Sequence, residues 1–198
     1  DNGVQVRLVG IQAPKLPLGR RNFKTWPLAK DAKKALESLT LGHIVNLSYG
    51  GRRKDRYGRS LAHLHRDDGL WVQERLLRLG MARVYSFRDN RAVVPEMLAA
   101  EQAARAARAG IWGHRWYRIW QQEDLRGGLD GFFLIEGTVL NSAKVRGRVY
   151  LNFGPNWRDD FTITVAPRDR RLFDKAGFDH TALPGRRVRV RGWLKHYN

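Results

Sequence analysis

The sequence predicts a chain of the α+β class, mainly β, that forms two small β-barrels of which the first carries helices. Three observations support this class. Apolar and polar residues alternate over 4–11 as in a strand, the alanine-rich segment 94–112 has a helical composition, and strand-like segments return after a charged, glycine-rich stretch. We therefore expect a first domain at 1–116, a linker at 117–130 and a second domain at 131–198 that is C-terminally incomplete.

Helices and strands alternate in the first domain. Apolar residues at positions 28, 29, 32, 35, 36 and 39 follow helical spacing, and Gly42 is a stop signal after them. Pro95 near the start and Gly110 at the end bound the long alanine-rich helix. Strands are expected at 4–11, 43–49, 60–66 and 81–87, with a strand end and a short helix within 70–80.

The second domain is richer in strand-like segments. Strands are expected at 132–140, 145–153, 160–167 and 186–194, with a short helix at 168–178 before the last of them. The chain shows no low-complexity segment and no repeat period, so a solenoid is excluded.

The composition indicates a polyanionic partner. Lysine and arginine number 37 against 19 acidic residues, which gives a formal net charge of +18 and a pI of about 11.1. Such a field attracts nucleic acid, because each neutralised phosphate releases counterions. No apolar run reaches about 18 residues, which argues against a membrane partner. The chain has no cysteine, which excludes disulfides and thiolate metal sites.

Five stretches of the first domain resemble the thermonuclease (staphylococcal nuclease-like) family, in the family's own order. They cover most of residues 4–113 and read "VRLVGIQAP", "DRYGRSLAHL", "DGLWVQERLLRLGMARV", the Asn90 loop and "EQAARAARAGIW". The resemblance implies an OB-type five-stranded barrel with three helices for the first domain. For the second domain, strand number and pattern alone suggest another small OB-like barrel.

The resemblance also implies residues that hold nucleic acid. Two family arginines grip the scissile phosphate, and they match Arg7 in "VRLVGI" and Arg59 in "DRYGR". Guanidinium groups donate in pairs to phosphate oxygens, which suits that role. The family pattern further places Arg56 and Tyr57 at a terminal phosphate. It places Tyr85, and with it Phe87, beside a base, where an aromatic face stacks with little sequence preference.

The acids that the family uses with Ca²⁺ are replaced at two matching positions, by Gln12 and Lys15. In the family, a further acid lies on the strand before "VRLVGI", a strand that this sequence does not include. Because Ca²⁺ requires several hard oxygen ligands, we expect no metal or other cofactor here, although the resemblance implies Ca²⁺. Lys15 has three interpretations: a static phosphate ligand, a base with a depressed pKa in a metal-free reaction, or a solvated loop lysine.

Other titratable residues favour structural interpretations. His63 and His65 share one face of a strand, but no third zinc ligand accompanies them, so a solvated face is expected. Glu74 and Glu101 are interpreted as helix residues that pair with arginine.

A basic stripe is predicted in the second domain. Arg187, Arg189 and Arg191 alternate along one strand, and Arg146 and Arg148 are placed on a neighbouring one. Such a sheet could face nucleic acid or only solvent.

Three functions remain open at this level. The chain is a binder of DNA or RNA whose Ca²⁺-dependent hydrolysis is lost or altered, an active endo- or exonuclease, or a protein-interaction scaffold. Because members of the resembled family are often exported, the resemblance also implies an exported bacterial protein.

Overall fold

A computed structural model of the chain describes residues 3–125, 131–156, 158 and 160–195. The chain divides into two compact units at the boundary between Tyr117 and Arg118, which we call unit 1 and unit 2. Both combine helices with β-sheets, so the predicted α+β class is confirmed. Within the described ranges, none of the helices has the length and apolar character required to span a membrane.

Unit 1 contains five strands and three α-helices within its described part. Strand β1 pairs in parallel with β4, which pairs antiparallel with β3, while β2 and β5 form a separate antiparallel pair. The elements are β1 Val6–Leu8, β2 Ile11–Gln12, α1 Ala29–Thr40, β3 Val45–Ser48, β4 Ser60–Arg66, α2 Val72–Arg78, β5 Arg83–Val84 and α3 Val94–Ala106.

The strand predicted over 4–11 is interrupted in the middle. Gly10 has a φ of +80°, and a Cβ atom at this position would lie 2.6 Å from Cε of Met97. The chain therefore turns where only glycine fits against α3, and one predicted strand becomes β1 and β2. This turn directs β1 towards β4 and β2 towards β5.

The apolar core of unit 1 lies between the helices and the strands. Leu76 and Leu77 of α2 are buried in one cluster with Met97 of α3 and Val84 of β5. Val84 is held at its backbone as well, because its N–H donates to the Glu101 carboxylate of α3 at 2.7 Å. The core thereby fixes the short β5, from which the functional residues below project.

The described part of unit 2 contains two three-stranded sheets, ordered β11-β7-β6 and β10-β9-β8. Trp120 and Gln121, which fall in the predicted linker, pair in parallel with β7, and 126–130 lie outside the described residues. The elements are β6 Trp120–Gln121, β7 Gly131–Thr138, β8 Asn141–Val145, β9 Arg148–Asn152, β10 Thr162–Val165, α4 Pro167–Lys175 and β11 Arg187–Leu194.

The strand predicted over 145–153 begins too early, because its first residues include a hairpin turn and the strand itself is β9, Arg148–Asn152. Arg146 and Gly147 form the two-residue turn with φ angles of +48° and +79°, the backbone conformation of a tight primed turn. The placement of Arg146 on a strand was therefore wrong. Arg148 begins β9, which belongs to the other sheet from β11, so the two predicted basic strands are not neighbours.

Candidate nucleic-acid interface

A surface cleft of about 320 Å³ in unit 1 brings together four of the predicted site residues. It runs between β1, the loop before β4, and the segment after β5. Arg7 reaches it from β1, where it lies in register with Leu61 of β4. The other predicted residues that line it are Arg56, Tyr57 and Tyr85.

The Arg56–Tyr57 loop is shaped by a single carboxylate, that of Asp55. Its Oδ1 atom accepts hydrogen bonds from the backbone N–H groups of Tyr57 at 2.8 Å and Arg59 at 3.1 Å. Burial would raise the pKa of Asp55, but hydrogen bonds from Arg59 and from these N–H groups hold it below its usual range. An ionised Asp55 thus closes the turn that presents Arg56 and Tyr57.

Arg59 does not line the cleft. Its Nε and Nη2 atoms lie 2.7 Å and 2.6 Å from Oδ2 of Asp55, so the guanidinium is engaged by this carboxylate. The Arg59 side chain is 35% exposed. Its Cζ lies 5.4 Å from the ring centre of Tyr57, which lines the cleft. The contact of Arg59 with a phosphate remains a prediction.

Aromatic side chains form the opposite part of the cleft. The rings of Tyr85 and Phe87 meet edge to face with centres 4.8 Å apart, and Cζ of Arg7 lies 5.9 Å from the Phe87 centre. Phe87 is 46% exposed and Tyr57 is 66% exposed. Aromatic rings exposed to water beside a guanidinium are available for stacking. The expected positions of Tyr85 beside a base and of Tyr57 at a terminal phosphate stay predictions.

The segment that carries Phe87 is attached to the loop before β4. The Asn90 side chain donates to the Arg52 carbonyl at 3.1 Å, and the Arg52 N–H donates to the Asp89 carbonyl at 2.9 Å. Asn90 is buried, so this attachment is shielded from water. The two sides of the cleft are consequently held at a set separation.

A second cationic position lies where the family acids are replaced. Pairing of β2 with β5 sets Gln12 opposite Arg83, and both Nε and Nη2 of Arg83 donate to Oε1 of Gln12, at 2.9 Å and 2.6 Å. Arg83 is only 7% exposed. The sequence analysis missed Arg83, although an arginine within the apolar strand segment "MARV" was a signal for it.

Lys15 lies in the loop after β2, half-buried, with its Nζ 4.9 Å from the ring centre of Trp26. Burial lowers the pKa of Lys15, and the positive charges of Arg20, Arg83 and Arg7 lower it further. Lys15 does not line the cleft, but it belongs to the same positive region as Arg7. Lys15 lies in a loop as expected, but its side chain is only partly solvated because it lies against an aromatic ring. Which of its three interpretations holds stays a prediction.

The donor set at these positions does not fit Ca²⁺. The Gln12 oxygen already accepts two hydrogen bonds from Arg83, and Lys15 repels a cation. Over the described ranges, no three histidine or acidic side chains come together as a possible metal site. The chemistry available here is that of guanidinium and ammonium donors, which bind anions.

His63 and His65 both contact the indole of Trp71, with ring centres 5.4 Å and 6.0 Å from it. His63 is buried, and burial, followed by the nearby His65, lowers the pKa of its imidazole. Both histidines thus share a face as predicted, but that face packs on Trp71 and the expectation of a solvated face is wrong for His63.

The two glutamates are structural, as interpreted. Glu101 is fully buried and, besides its bond to Val84, lies 3.6 Å from Nε of Arg105. Glu74 pairs with Arg78 one turn along α2.

The arginine stripe of unit 2 contains a carboxylate that its sequence pattern did not reveal. Glu136 of β7 lies opposite Arg189 of β11 and pairs with both Arg189 and Arg187, the latter at 2.9 Å. Burial would raise the pKa of Glu136, but the hydrogen bonds from Arg187 and Arg189 lower it. The charges of Arg187 and Arg189 are therefore partly neutralised. Contact of nucleic acid with Arg148, Arg187, Arg189 or Arg191 stays a prediction.

Comparison with known proteins identifies the family of the domain that carries this cleft. Residues 5–114, more than half of the chain, match the family model described as Staphylococcal nuclease homologue. The chain belongs to this family.

Curated relatives of the chain include nucleases. It is 36% identical over 114 residues to endonuclease YncB and 33% identical over 114 residues to the SPbeta prophage-derived endonuclease YokF, both of Bacillus subtilis strain 168. It is also 33% identical over 108 residues to the probable staphylococcal-like nuclease CAN1 of Oryza sativa subsp. japonica. These matches cover 57%, 57% and 54% of this chain, and 53%, 38% and 28% of the respective relatives. The chain thus spans about half or less of the length of these relatives, which come from a plant as well as from bacteria.

Proposed function

We propose that unit 1 binds DNA or RNA by its backbone phosphates, and that the Ca²⁺-dependent phosphodiester hydrolysis of its family is lost or altered in this chain. Membership of a nuclease family supports a nucleic-acid ligand. The cleft offers Arg7 and Arg56 as anion donors beside exposed rings of Tyr57 and Phe87. This combination suits a polymer with alternating phosphates and bases.

The observation that carries the proposal is the hydrogen-bonded pair of Gln12 and Arg83 near Lys15. A divalent cation at this point would face a buried guanidinium and an ammonium, and it would find one amide oxygen that is already used. A phosphate group at the same point would instead be attracted by both cations. Gln12 and Lys15, in place of acids, therefore favour binding of nucleic acid over metal-assisted cleavage.

The recognition expected from these residues is independent of sequence. Arginine and lysine contact phosphates, which are the same at every position along the polymer. Tyr57 and Tyr85 offer ring faces, and every base has a face that can stack on them.

A second candidate is hydrolysis without Ca²⁺. The names of the relatives support hydrolysis as such, and the lowered pKa of Lys15 supports a base that needs no metal ion. A neutral Lys15 amine would take a proton from water as the water oxygen attacks phosphorus. The bond from phosphorus to the leaving sugar oxygen would break, and that oxygen would take up a proton from the solvent. Arg7 would hold the charge that develops on the other phosphate oxygens.

For unit 2 we infer a second small OB-like barrel. Buried residues Val149 and Leu151 of β9 share one apolar cluster with Val188 of β11, which belongs to the other sheet. A core shared by the two sheets supports this inference. Arg148 and Arg191 are its proposed contacts to nucleic acid.

The test combines binding with cleavage. Affinity for a single-stranded oligonucleotide is measured over a range of salt concentrations, and nicking of a supercoiled plasmid is measured with Ca²⁺, with Mn²⁺ and with EDTA. We expect binding that weakens steeply with salt, because several phosphates are neutralised, and no nicking that depends on Ca²⁺.

Two variants sharpen the cleavage test, Arg59→Ala and Arg53→Ala. Arg53 is a matched control, since it is exposed in the same loop and does not line the cleft. Nicking that Arg59→Ala abolishes and Arg53→Ala preserves, in the presence of EDTA, would favour the metal-free hydrolase. The same pattern with Ca²⁺ alone would overturn the proposal. A shallow salt dependence would instead identify a protein scaffold.

A further inference from the structure

We propose a second nucleic-acid subsite in unit 1, an aromatic strip made of Phe23, Trp26 and Trp116, that takes the bases of a single strand. The ring centres of Trp26 and Trp116 are 4.8 Å apart, and those of Phe23 and Trp26 are 6.4 Å apart. Trp116 is 47% exposed, which leaves a large part of its indole in water. A row of contacting rings that ends in an exposed indole is a stacking platform.

The strip is surrounded by cations. Arg20 lies over the Phe23 ring with its Cζ 3.6 Å from the ring centre, and Lys15 lies over Trp26. The whole segment 14–30 contains no aspartate or glutamate, and its remaining cations are Arg21, Lys24 and Lys30. This charge favours a polyanion over a neutral or acidic partner that could also cover exposed rings.

The strip is also rigidly built. The hydroxyl of Tyr117, a buried residue, donates to the carbonyl of Pro27 at 2.7 Å. The backbone N–H of Trp26 donates to the carbonyl of Lys15 at 3.0 Å. The backbone N–H of Trp116 donates to Nδ1 of His114 at 3.1 Å. These bonds set the two indoles together before any ligand arrives, so less conformational freedom is lost on binding.

Lys15 links this strip to the positive region around Arg7 and Arg83. A single strand whose phosphate lies at Lys15 can place a neighbouring base against the Trp116 indole. A duplex cannot do so without unpairing, because its base faces are covered by adjacent base pairs. The inference therefore rests on the proposed function and narrows its ligand to single-stranded nucleic acid.

The experiment compares two probes that differ only in their bases. Affinities of the full chain are measured by fluorescence anisotropy for a twelve-nucleotide oligothymidylate and for an abasic strand of the same length. We expect Trp116→Ala to weaken oligothymidylate binding by about 5- to 150-fold and to leave the abasic strand within about twofold. Trp116→Phe retains a ring and should recover most of the lost affinity.

Tyr49→Ala is the matched control. Tyr49 is an exposed ring of unit 1 with an arginine, Arg53, 5.1 Å over it, and it does not belong to the strip. We expect it to change neither affinity by more than about twofold. A thermal melt of each variant shows whether it is still folded, so that a loss of affinity can be assigned to lost folding or to lost stacking. Trp116→Phe is the mildest of these changes.

The outcomes separate this inference from the proposed function. Equal affinity of the unmodified chain for both probes, unchanged by Trp116→Ala, overturns the subsite and leaves phosphate binding intact. Equal weakening of both probes in folded Trp116→Ala also overturns it. Failure of the unmodified chain to bind either probe overturns both.

Discussion

In unit 1, Arg7 and Arg56 lie along an open cleft with exposed rings, whereas in unit 2 Arg187 and Arg189 are bound by one carboxylate, Glu136. Both regions are arginine-rich in sequence, and both were predicted to contact nucleic acid. The cleft of unit 1 also holds acids, but Asp55 is engaged by Arg59 and Asp89 lies 3.8 Å from Arg52, so neither pairs with Arg7 or Arg56 in the contacts described above. In unit 2 the acid lies within the basic stripe itself. The potential at a surface therefore depends on the spatial partner of each cation and not on the number of cations.

The largest expected change in oligonucleotide affinity distinguishes the arginines of the unit 1 cleft from those of the unit 2 stripe. Arg7→Ala is expected to weaken binding of a single-stranded oligonucleotide by about 10- to 100-fold, because a charged hydrogen-bond donor to phosphate is lost. It should also reduce the slope of log affinity against log salt by about one.

Arg187→Ala is the matched variant in unit 2. It removes an arginine that Glu136 already engages, so we expect a change of less than about twofold in the same assay. Equal losses from Arg7→Ala and Arg187→Ala would break the comparison between the two units.

A gain of intermediate size should follow from removing the carboxylate of unit 2. Glu136→Gln keeps a side-chain oxygen for Arg187 and Arg189 but removes the negative charge. We expect oligonucleotide affinity to rise by about two- to fivefold and the salt dependence to steepen. Asp174→Asn raises the net charge equally at α4, where Asp174 pairs with Arg170, and should give a smaller gain. An equal gain from both variants would show that only net charge matters.

The smallest effect concerns the pH dependence of unit 1. Phosphate binding favours the protonated form of Lys15, whose pKa lies below 10.5 because of burial and of Arg20, Arg83 and Arg7. As pH rises through this lowered pKa, Lys15 loses its charge and affinity for phosphate falls. We expect an affinity loss of about two- to threefold for oligodeoxyadenylate, whose bases do not titrate here, as pH is raised from 7 to 10.

Lys15→Arg provides the control for this prediction, since arginine stays charged over the same pH range. The loss of affinity between pH 7 and pH 10 should disappear in this variant. An unchanged pH profile in Lys15→Arg would mean that Lys15 does not contact phosphate.

The local sequence pattern was sufficient for the residues that lie on one short segment or on matched motifs. One pocket was expected to join Arg7, Arg59 and Lys15, with Arg56, Tyr57 and Tyr85 beside it. Arg7, Arg56, Tyr57 and Tyr85 do line one cleft, whereas Arg59 and Lys15 do not line it. The prediction failed at Arg146, where a backbone turn takes the place of a regular strand. The alternation of apolar and polar residues over a short segment does not distinguish a hairpin from a continuous strand. The strand at 4–11 divided for a related reason, namely the close approach of Met97 to Gly10.

By itself the sequence determined the α+β class, the basic character, the family motifs and the loss of acids at Gln12 and Lys15, since these depend on residue identity and local order. Only the tertiary structure determined which side chains pair with each arginine. Gln12 and Arg83 are 71 residues apart, and Arg187 and Glu136 are 51 residues apart. Strand pairing brings such residues together, and the partner that each cation meets determines how much of its charge is left to attract phosphate.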